Sequence, residues 1–274
     1  LAGDDDQAIY GWAGADVQRF QGEPAKNIIL PQSYRVPQAV QQIADQILNR
    51  IPDNRRIKKQ WASRPEGGSV DHVTSIEDVP LHQSDWLILA RTNDKLIKLK
   101  SILKEMAIYF EIKDRKSYKT RLYTAVKHYT RWTKGDKLSL SECKDLFEYL
   151  ELDQELKEER MYDLQEFGYN TTDEWYEVFK SDPEECLYIR EMLRNKEELS
   201  HPARVKLSTI HSAKGGEATN VLLILDNTRK IREAVDKSED KHDEEHRVWY
   251  VGVTRTKQNL YIMTPKREDR SYDI

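Results

Sequence analysis

The sequence predicts an α/β protein built on a mostly parallel sheet, with a small, mainly helical insertion. Three observations predict this class. Short, apolar, β-branched runs recur along the chain, and stripes of apolar residues at helical spacing lie between them. The stretch from Lys113 to Pro202 differs, with helical stripes and no convincing buried strand. Strands buried on both faces read as continuous apolar runs, and their alternation with helices argues for a layered α/β domain.

Taken in order, Asn27 to Leu30 reads as a first strand. Pro37 then opens a helix at its first turn, with Val40, Ile43, Ala44, Ile47, Leu48 and Ile51 along one face. Ser69 to Thr74 and Asp85 to Ala90 read as strands, followed by a helical stripe of Leu96, Leu99, Ile102, Leu103 and Met106. Within the insertion, Ser139 and Glu142 form a capping-box pattern ahead of Leu140, Cys143, Leu146, Phe147 and Leu150. Asp182-Pro183-Glu184-Glu185 starts another helix, running into Leu187, Tyr188 and Met192. Arg204 to Ile210, Asn220 to Leu225 and Asn259 to Thr264 read as the closing strands. The last is preceded by an amphipathic helix with Arg255 near its end.

At 274 residues the chain can bury a substantial core, and with 38% hydrophobic and 34% charged residues it is charge-rich but globular. A net charge of −4 excludes polyanion binding by bulk charge, so a nucleic-acid surface has to be local. Lys98 to Lys137 holds twelve Lys/Arg against four Asp/Glu, interleaved with Tyr109, Phe110, Tyr118, Tyr123, Tyr129 and Trp132. That makes it a candidate nucleic-acid contact. Glu142 to Glu198 reverses the balance, with seven against nineteen, and reads as solvated helix faces. Two cysteines, Cys143 and Cys186, give neither metal spacing nor a disulfide framework, and Cys143 is expected to be a buried thiol. No apolar run reaches the roughly 18 residues of a membrane span, and the expected setting is reducing and cytoplasmic.

Four segments carry chemistry. Ala2 to Asp16 (AGDDDQAIYGWAGAD) is an acidic loop ending in an amide and aromatics. Leu30 to Pro37 (LPQSYRVP) sets an aromatic-arginine pair ahead of a helix. Leu207 to Glu217 (LSTIHSAKGGE) places Thr, His, Lys and a carboxylate on the loop after an apolar strand, where ligands bind in open α/β sheets. Glu244 to Thr256 (EEHRVWYVGVTRT) is the helix that carries Arg255. Each alone reads as ordinary structure.

Together and in this order they resemble the later motifs of the UvrD/Rep-like helicases of superfamily 1. Gly3 to Ala15 is similar to the third motif, GDxxQxIYxWRGA, except at Ala13. Ser33-Tyr34-Arg35 is similar to the fourth, Thr209 to Glu217 to the fifth and Glu244 to Arg255 to the sixth. Leu87 to Asn93 also looks like a strand of that family's second motor domain. The resemblance implies a RecA-like, P-loop-NTPase-type second motor domain, formed by 25–112 and 203–274. Residues 1–24 would end the first such domain, and 113–202 would be the accessory insertion.

It also implies roles. Gln7, Arg35 and Arg255 match catalytic groups at the ATP γ-phosphate. Tyr34, Glu217 and Gly215 fall at cofactor-binding positions, with Tyr34 stacking on adenine and Glu217 on the ribose. Tyr10, Trp12, Thr209, His211 and Lys214 match contacts to DNA. The implied activity is ATP-dependent, 3′-to-5′ movement on single-stranded DNA, with duplex–single-strand junctions as substrates.

Some positions depart from the family pattern. Ala13 stands where the family has arginine, and Gly216 stands where it has leucine. No G-x-x-x-x-G-K-S/T phosphate loop occurs, nor the acidic magnesium motif that precedes Gly3 in the family. With Leu1 in place of Met, the expectation is a piece of a longer protein. Its magnesium ligands and first motor domain would lie upstream, and alone it would not hydrolyse ATP. The alternative is a non-hydrolysing DNA- or partner-binding module. A helicase-nuclease subunit is disfavoured, because no nuclease carboxylate-lysine pattern follows Tyr261.

Overall fold

The computed structural model describes residues 3–14, 16–22, 24, 28–152, 156, 159–169 and 173–274; the side chains of Trp12 and Glu268 lie outside that description. Along the chain run α1 (Val17–Gln21), β1 (Gln32–Pro37), α2 (Gln38–Leu48), β2 (Ala62–Arg64), β3 (Ser69–Val73), β4 (Trp86–Ala90) and α3 (Asn93–Glu105). Then come β5 (Phe110–Ile112), β6 (Arg115–Lys116), α4 (Thr120–Thr133), α5 (Leu140–Leu150), α6 (Trp175–Val178) and α7 (Pro183–Arg194). The chain closes with β7 (Val205–Thr209), β8 (Ala218–Ile224), α8 (Arg229–Lys237), α9 (Glu239–Val253) and β9 (Thr256–Met263). Two compact units result: Leu1–Ser101 with Arg204–Ile274, and Ile102–Ala203.

In the first unit β3-β9-β8-β4-β7 run side by side, every pair parallel. All five residues of β4 are buried, as a strand covered on both faces requires. Ten of the fifteen residues of α9 are also buried, so that helix is a core element. A Cβ on its Gly252 would lie 3.1 Å from Leu223 Cδ1 and 3.4 Å from Ile210 Cδ1, which is how closely helix and sheet approach. Val40, Ala44, Ile47 and Leu48 of α2 join the same core.

Two sequence expectations need correction here. Ile28 to Leu30 is irregular and exposed, with Ile28 84% and Leu30 80% accessible, while Asn27 lies outside the described residues. The strand begins at Gln32 instead and pairs in parallel with Ala62–Arg64, held partly by Gln32 Nε2 donating to the Ala62 and Ser63 carbonyls. Main-chain and amide hydrogen bonds, not an apolar run, decide that pairing.

The second unit has its own core. Leu122, Ala125, Val126, Tyr129 and Trp132 of α4 meet Leu140, Cys143, Leu146, Phe147 and Leu150 of α5, whose capping box between Ser139 and Glu142 is present. Asp182 caps α7 as its sequence indicates. Burial pushes the Cys143 thiol up to about 11, an inert thiol. The second correction concerns the basic, aromatic stretch. Tyr109, Phe110, Tyr118, Tyr129 and Trp132 are each at most 7% exposed, so they are core residues and offer no stacking surface. The Tyr118 hydroxyl donates to the Leu199 carbonyl at 2.5 Å, which satisfies its one polar atom internally.

A buried histidine on α9 is expected to make the first unit acid-sensitive. His246 Nδ1 lies 2.5 Å from the Tyr272 hydroxyl and its Nε2 3.1 Å from His242 Nε2. Burial, then His242, lowers its pKa to about 4. Between the ordinary value of 6.5 and about 4 the unfolded chain binds the extra proton, so stability falls as pH drops through that window. The lost contribution is roughly 3 kcal/mol. His246→Gln is expected to flatten this limb in urea titrations at pH 7 and pH 4.5; an unchanged slope would rule out His246 as its source.

Candidate functional site

The segments picked out by sequence meet around the 210–217 loop, which runs from the carboxyl end of β7 to the amino end of β8 in the first unit. The loop after β7 is fixed by Thr209, whose Oγ1 accepts from the Ser212 amide at 3.2 Å and donates to Ser212 Oγ at 3.0 Å. Beyond it, Gly215 takes a φ of +91°, a conformation that costs a residue with a side chain more than it costs glycine. That turn brings Lys214 back toward the first segment. Lys214 Nζ donates to the Gln7 carbonyl at 2.7 Å and stands 5.4 Å from the centre of the Tyr10 ring. The Tyr10 hydroxyl donates to the His211 carbonyl at 2.6 Å, and the two rings meet edge to face. Burial, then Arg91, pulls the His211 pKa below its ordinary value, so its imidazole is neutral at pH 7. Gln7 itself donates through Nε2 to Asp4 Oδ2 at 2.7 Å. The side chain of Trp12 lies outside the described residues.

A second group of side chains lies along β1, the same loop and the end of α9. Arg35 Nη1 is 3.5 Å from Glu217 Oε2, and Lys257 Nζ is 3.3 Å from Glu217 Oε1. The Lys257 and Arg35 cations together hold the Glu217 carboxyl below its ordinary range, against partial burial. Tyr34 is 86% exposed, an aromatic face on a short strand. Arg255 follows Thr254, the cap of α9, and is only 2% exposed. Its guanidinium donates to the Val251 carbonyl at 3.0 Å, the Gly216 carbonyl at 3.3 Å and Thr254 Oγ1 at 3.3 Å, all uncharged oxygens. Burial, then repulsion from Arg35, lowers its pKa to about 10, still well above neutrality. Among the described residues its hydrogen-bond acceptors are all neutral and Glu217 and Asp4 attract it without a hydrogen bond, so an incoming anion would relieve the buried charge.

Sequence reasoning missed two networks that hold these groups in place. Glu245, 4% exposed, accepts from Arg91 Nε and Nη2 at 2.9–3.1 Å, from Asn227 Nδ2 at 3.1 Å and from Trp249 Nε1 at 2.7 Å. Lys59 is the centre of the other. Its ammonium bonds Asp4 and Asp6 at 2.7 Å each and also Asp5, while Arg56 reaches Asp6 at 3.3 Å. The three carboxylates lie close enough to chelate a cation, but Lys59 already supplies the positive charge, so they do not fit a magnesium ion. Glu245 sits in a recognised motif, whereas nothing local marks Lys59 in the run Ile57-Lys58-Lys59-Gln60.

Fold and site together define a mixed α/β protein whose charged and aromatic groups gather around the loop between β7 and β8 of a mostly parallel sheet. The model of the UvrD-like helicase C-terminal domain family matches residues 113–267, more than half of the chain, and the chain belongs to that family. It is 25% identical over 96% of its length to the ATP-dependent DNA helicase PcrA of Staphylococcus epidermidis strain RP62A, covering 50% of that relative. The same figures hold for PcrA of Staphylococcus aureus strain Mu50. The chain thus spans about half the length of the curated relatives it matches. A solved structure described as the C-terminal domain of a possible DNA helicase from Lactobacillus plantarum WCFS1 is 13% identical, covering 85% of this chain and 88% of that one, with a TM-score of 0.25. The family resemblance carried by the four sequence motifs is borne out. Among the described residues no helix is long and apolar enough to cross a membrane.

Proposed function

We propose that this chain is the C-terminal part of an ATP-dependent DNA motor, a RecA-like second motor domain with a helical insertion. In this reading it supplies half of an ATP site and part of a single-strand DNA track, and moves 3′ to 5′ toward duplex–single-strand junctions. The observation that carries it is Arg255: buried, cationic, bonded among the described residues to neutral oxygens alone, and close enough to Arg35 for the two charges to repel. Phosphoryl transfer demands such groups, since guanidinium donors stabilise the charge on the transferring phosphate.

In this proposal Arg35 and Arg255 meet the γ-phosphate, Gln7 senses it, Tyr34 stacks on the adenine, and Glu217 at the Gly215 turn meets the ribose. Bound ATP would favour domain closure and supply the phosphoanhydride that is then hydrolysed, with magnesium held by residues outside this chain. Because both arginines would reach the phosphate from the second domain, hydrolysis would depend on closure. Tyr10, Trp12, Thr209, His211 and Lys214 are assigned to DNA. The contact between Lys214 and Gln7 supports coupling of the two functions, since the DNA-facing cation touches the backbone of the γ-phosphate sensor.

A salt titration tests the DNA half. Log affinity of the chain for an oligo-dT should fall linearly with log salt, and Lys214→Ala should reduce the slope by about one phosphate contact. An unchanged slope would remove Lys214 from the track.

A further inference from the structure

A cleft of about 410 Å³ opens in the first unit beside the Lys214–Tyr10 contact, within the roughly 300–1,000 Å³ range of small-ligand sites. One wall is polar: Arg91, Thr92 and Asn93 just after β4, with Thr209 and His211 after β7. The opposite wall is α8, through Ile231, Ala234 and Val235. No residue of α8 is buried, although these three lie on one face at helical spacing. The helix is tied at both ends. Thr228 caps its start, the Asn227 amide donates to the Arg270 carbonyl at 2.8 Å, and the following Ser238 caps α9.

The charges around this cleft are already paired. Arg91 is held by Glu245, and Lys241 Nζ lies 2.6 Å from Glu244 Oε2. It therefore offers little net positive charge to phosphates, but it does offer an apolar wall facing hydrogen-bonding groups. A nucleobase has that same division, with an apolar face and a polar edge. His211 connects this cleft to the candidate phosphate contacts, since it lines the cleft and also touches Tyr10.

We propose that α8 is the base-facing wall of the single-strand track, with Ile231 and Val235 packing on nucleobases while Lys214 outside the cleft meets the phosphate. This rests on the reading above that the loop after β7 meets single-stranded DNA. It adds a helix that none of the four motifs contains, and a division of labour between base and backbone contacts. Apolar packing on base faces is sequence-tolerant, as a translocating site requires.

The test measures anisotropy of labelled oligo-dT, and of an abasic oligonucleotide of equal length and charge, with the full chain. Wild type should prefer the oligo-dT. Val235→Asp should weaken oligo-dT binding about ten-fold and leave abasic binding within two-fold, while Val235→Ile should behave as wild type. The abasic arm controls for the added negative charge, which repels both strands equally. If Val235→Asp weakens both alike, or neither, α8 is not a base wall. In the latter case loss of binding by Lys214→Ala would leave the DNA reading standing. Displacement of oligo-dT by free thymidine monophosphate at equal nucleotide concentration would mark a mononucleotide pocket and overturn the proposal. No binding of either oligonucleotide by wild type would overturn both readings.

Discussion

Replacing Arg255 by alanine, in a protein where this chain is joined to a phosphate-loop domain, is expected to lower ATP turnover by about 10³-fold. The size follows from where the charge sits. Arg255 is 2% exposed, so water screens it little, and its bonds to the Val251 and Gly216 carbonyls and Thr254 hold it in place beforehand. A preorganised cation gains most when negative charge develops beside it. Arg255→Lys should recover little, because a single ammonium does not reproduce the fork of a guanidinium. Affinity for oligo-dT without nucleotide should stay within about two-fold in both variants, which separates loss of chemistry from loss of fold. Turnover within a few-fold of wild type would remove Arg255 from the phosphate.

The second large effect is on stability. Lys59→Met should destabilise the first unit by about 3–5 kcal/mol, because removing one partner of a buried ionic cluster leaves uncompensated charge. Asp5 and Asp6 side chains are 0% and 2% exposed, and that of Lys59 is 18% exposed, so screening is slight. The pH dependence carries a signature. Burial lowers the Lys59 pKa, but Asp4 and Asp6 outweigh it, and the net shift is upward from 10.5. A raised lysine contributes fully below 10.5, and its contribution is lost as pH climbs through the folded value.

Burial alone would raise Asp5, yet bonds from Lys59, the Ile57 amide and Gln21 hold it below 3.8. Its contribution is present above 3.8 and disappears as pH falls through the lowered value. Asp6 is raised, chiefly by burial, and opposes this slope. Removing Lys59 leaves burial unopposed by an ammonium, so the carboxylates should take up protons more readily. The deficit of Lys59→Met should accordingly be largest near pH 7 and smaller at pH 4, as read by urea unfolding. A deficit under 1 kcal/mol, or one independent of pH, would contradict this account of the cluster.

What the sequence reveals depends on the forces involved. Trp86 to Ala90 is legible as a strand because burial on both faces leaves an unbroken apolar run, and α5 is legible from its cap and stripe. Gln32–Pro37 is not, since its pairing with Ala62–Arg64 rests on main-chain and amide bonds with little apolar content. The helix α8 escapes notice because nothing in it is buried. Tyr109, Tyr118 and Tyr129 look like a nucleic-acid surface by composition, yet burial of their rings satisfies a core instead.

For the candidate site, the residue types are legible and the distances are not. No local pattern places Lys214 against the Gln7 carbonyl, 207 positions earlier in the chain, or Lys59 among three aspartates. Those contacts depend on where the sheet brings its loops. The spacing of the motifs reports which residues are present, and only the fold reports that Arg255 is buried beside uncharged oxygens.

The most direct measurement is ATP hydrolysis, with and without oligo-dT, by this chain alone and by the same chain joined to a phosphate-loop domain. The joined protein is expected to hydrolyse ATP only with DNA present at appreciable rate, and the isolated chain not at all. Hydrolysis by the isolated chain at a comparable rate, or a joined protein indifferent to DNA, would contradict the assignment of this chain to one half of a DNA-dependent motor.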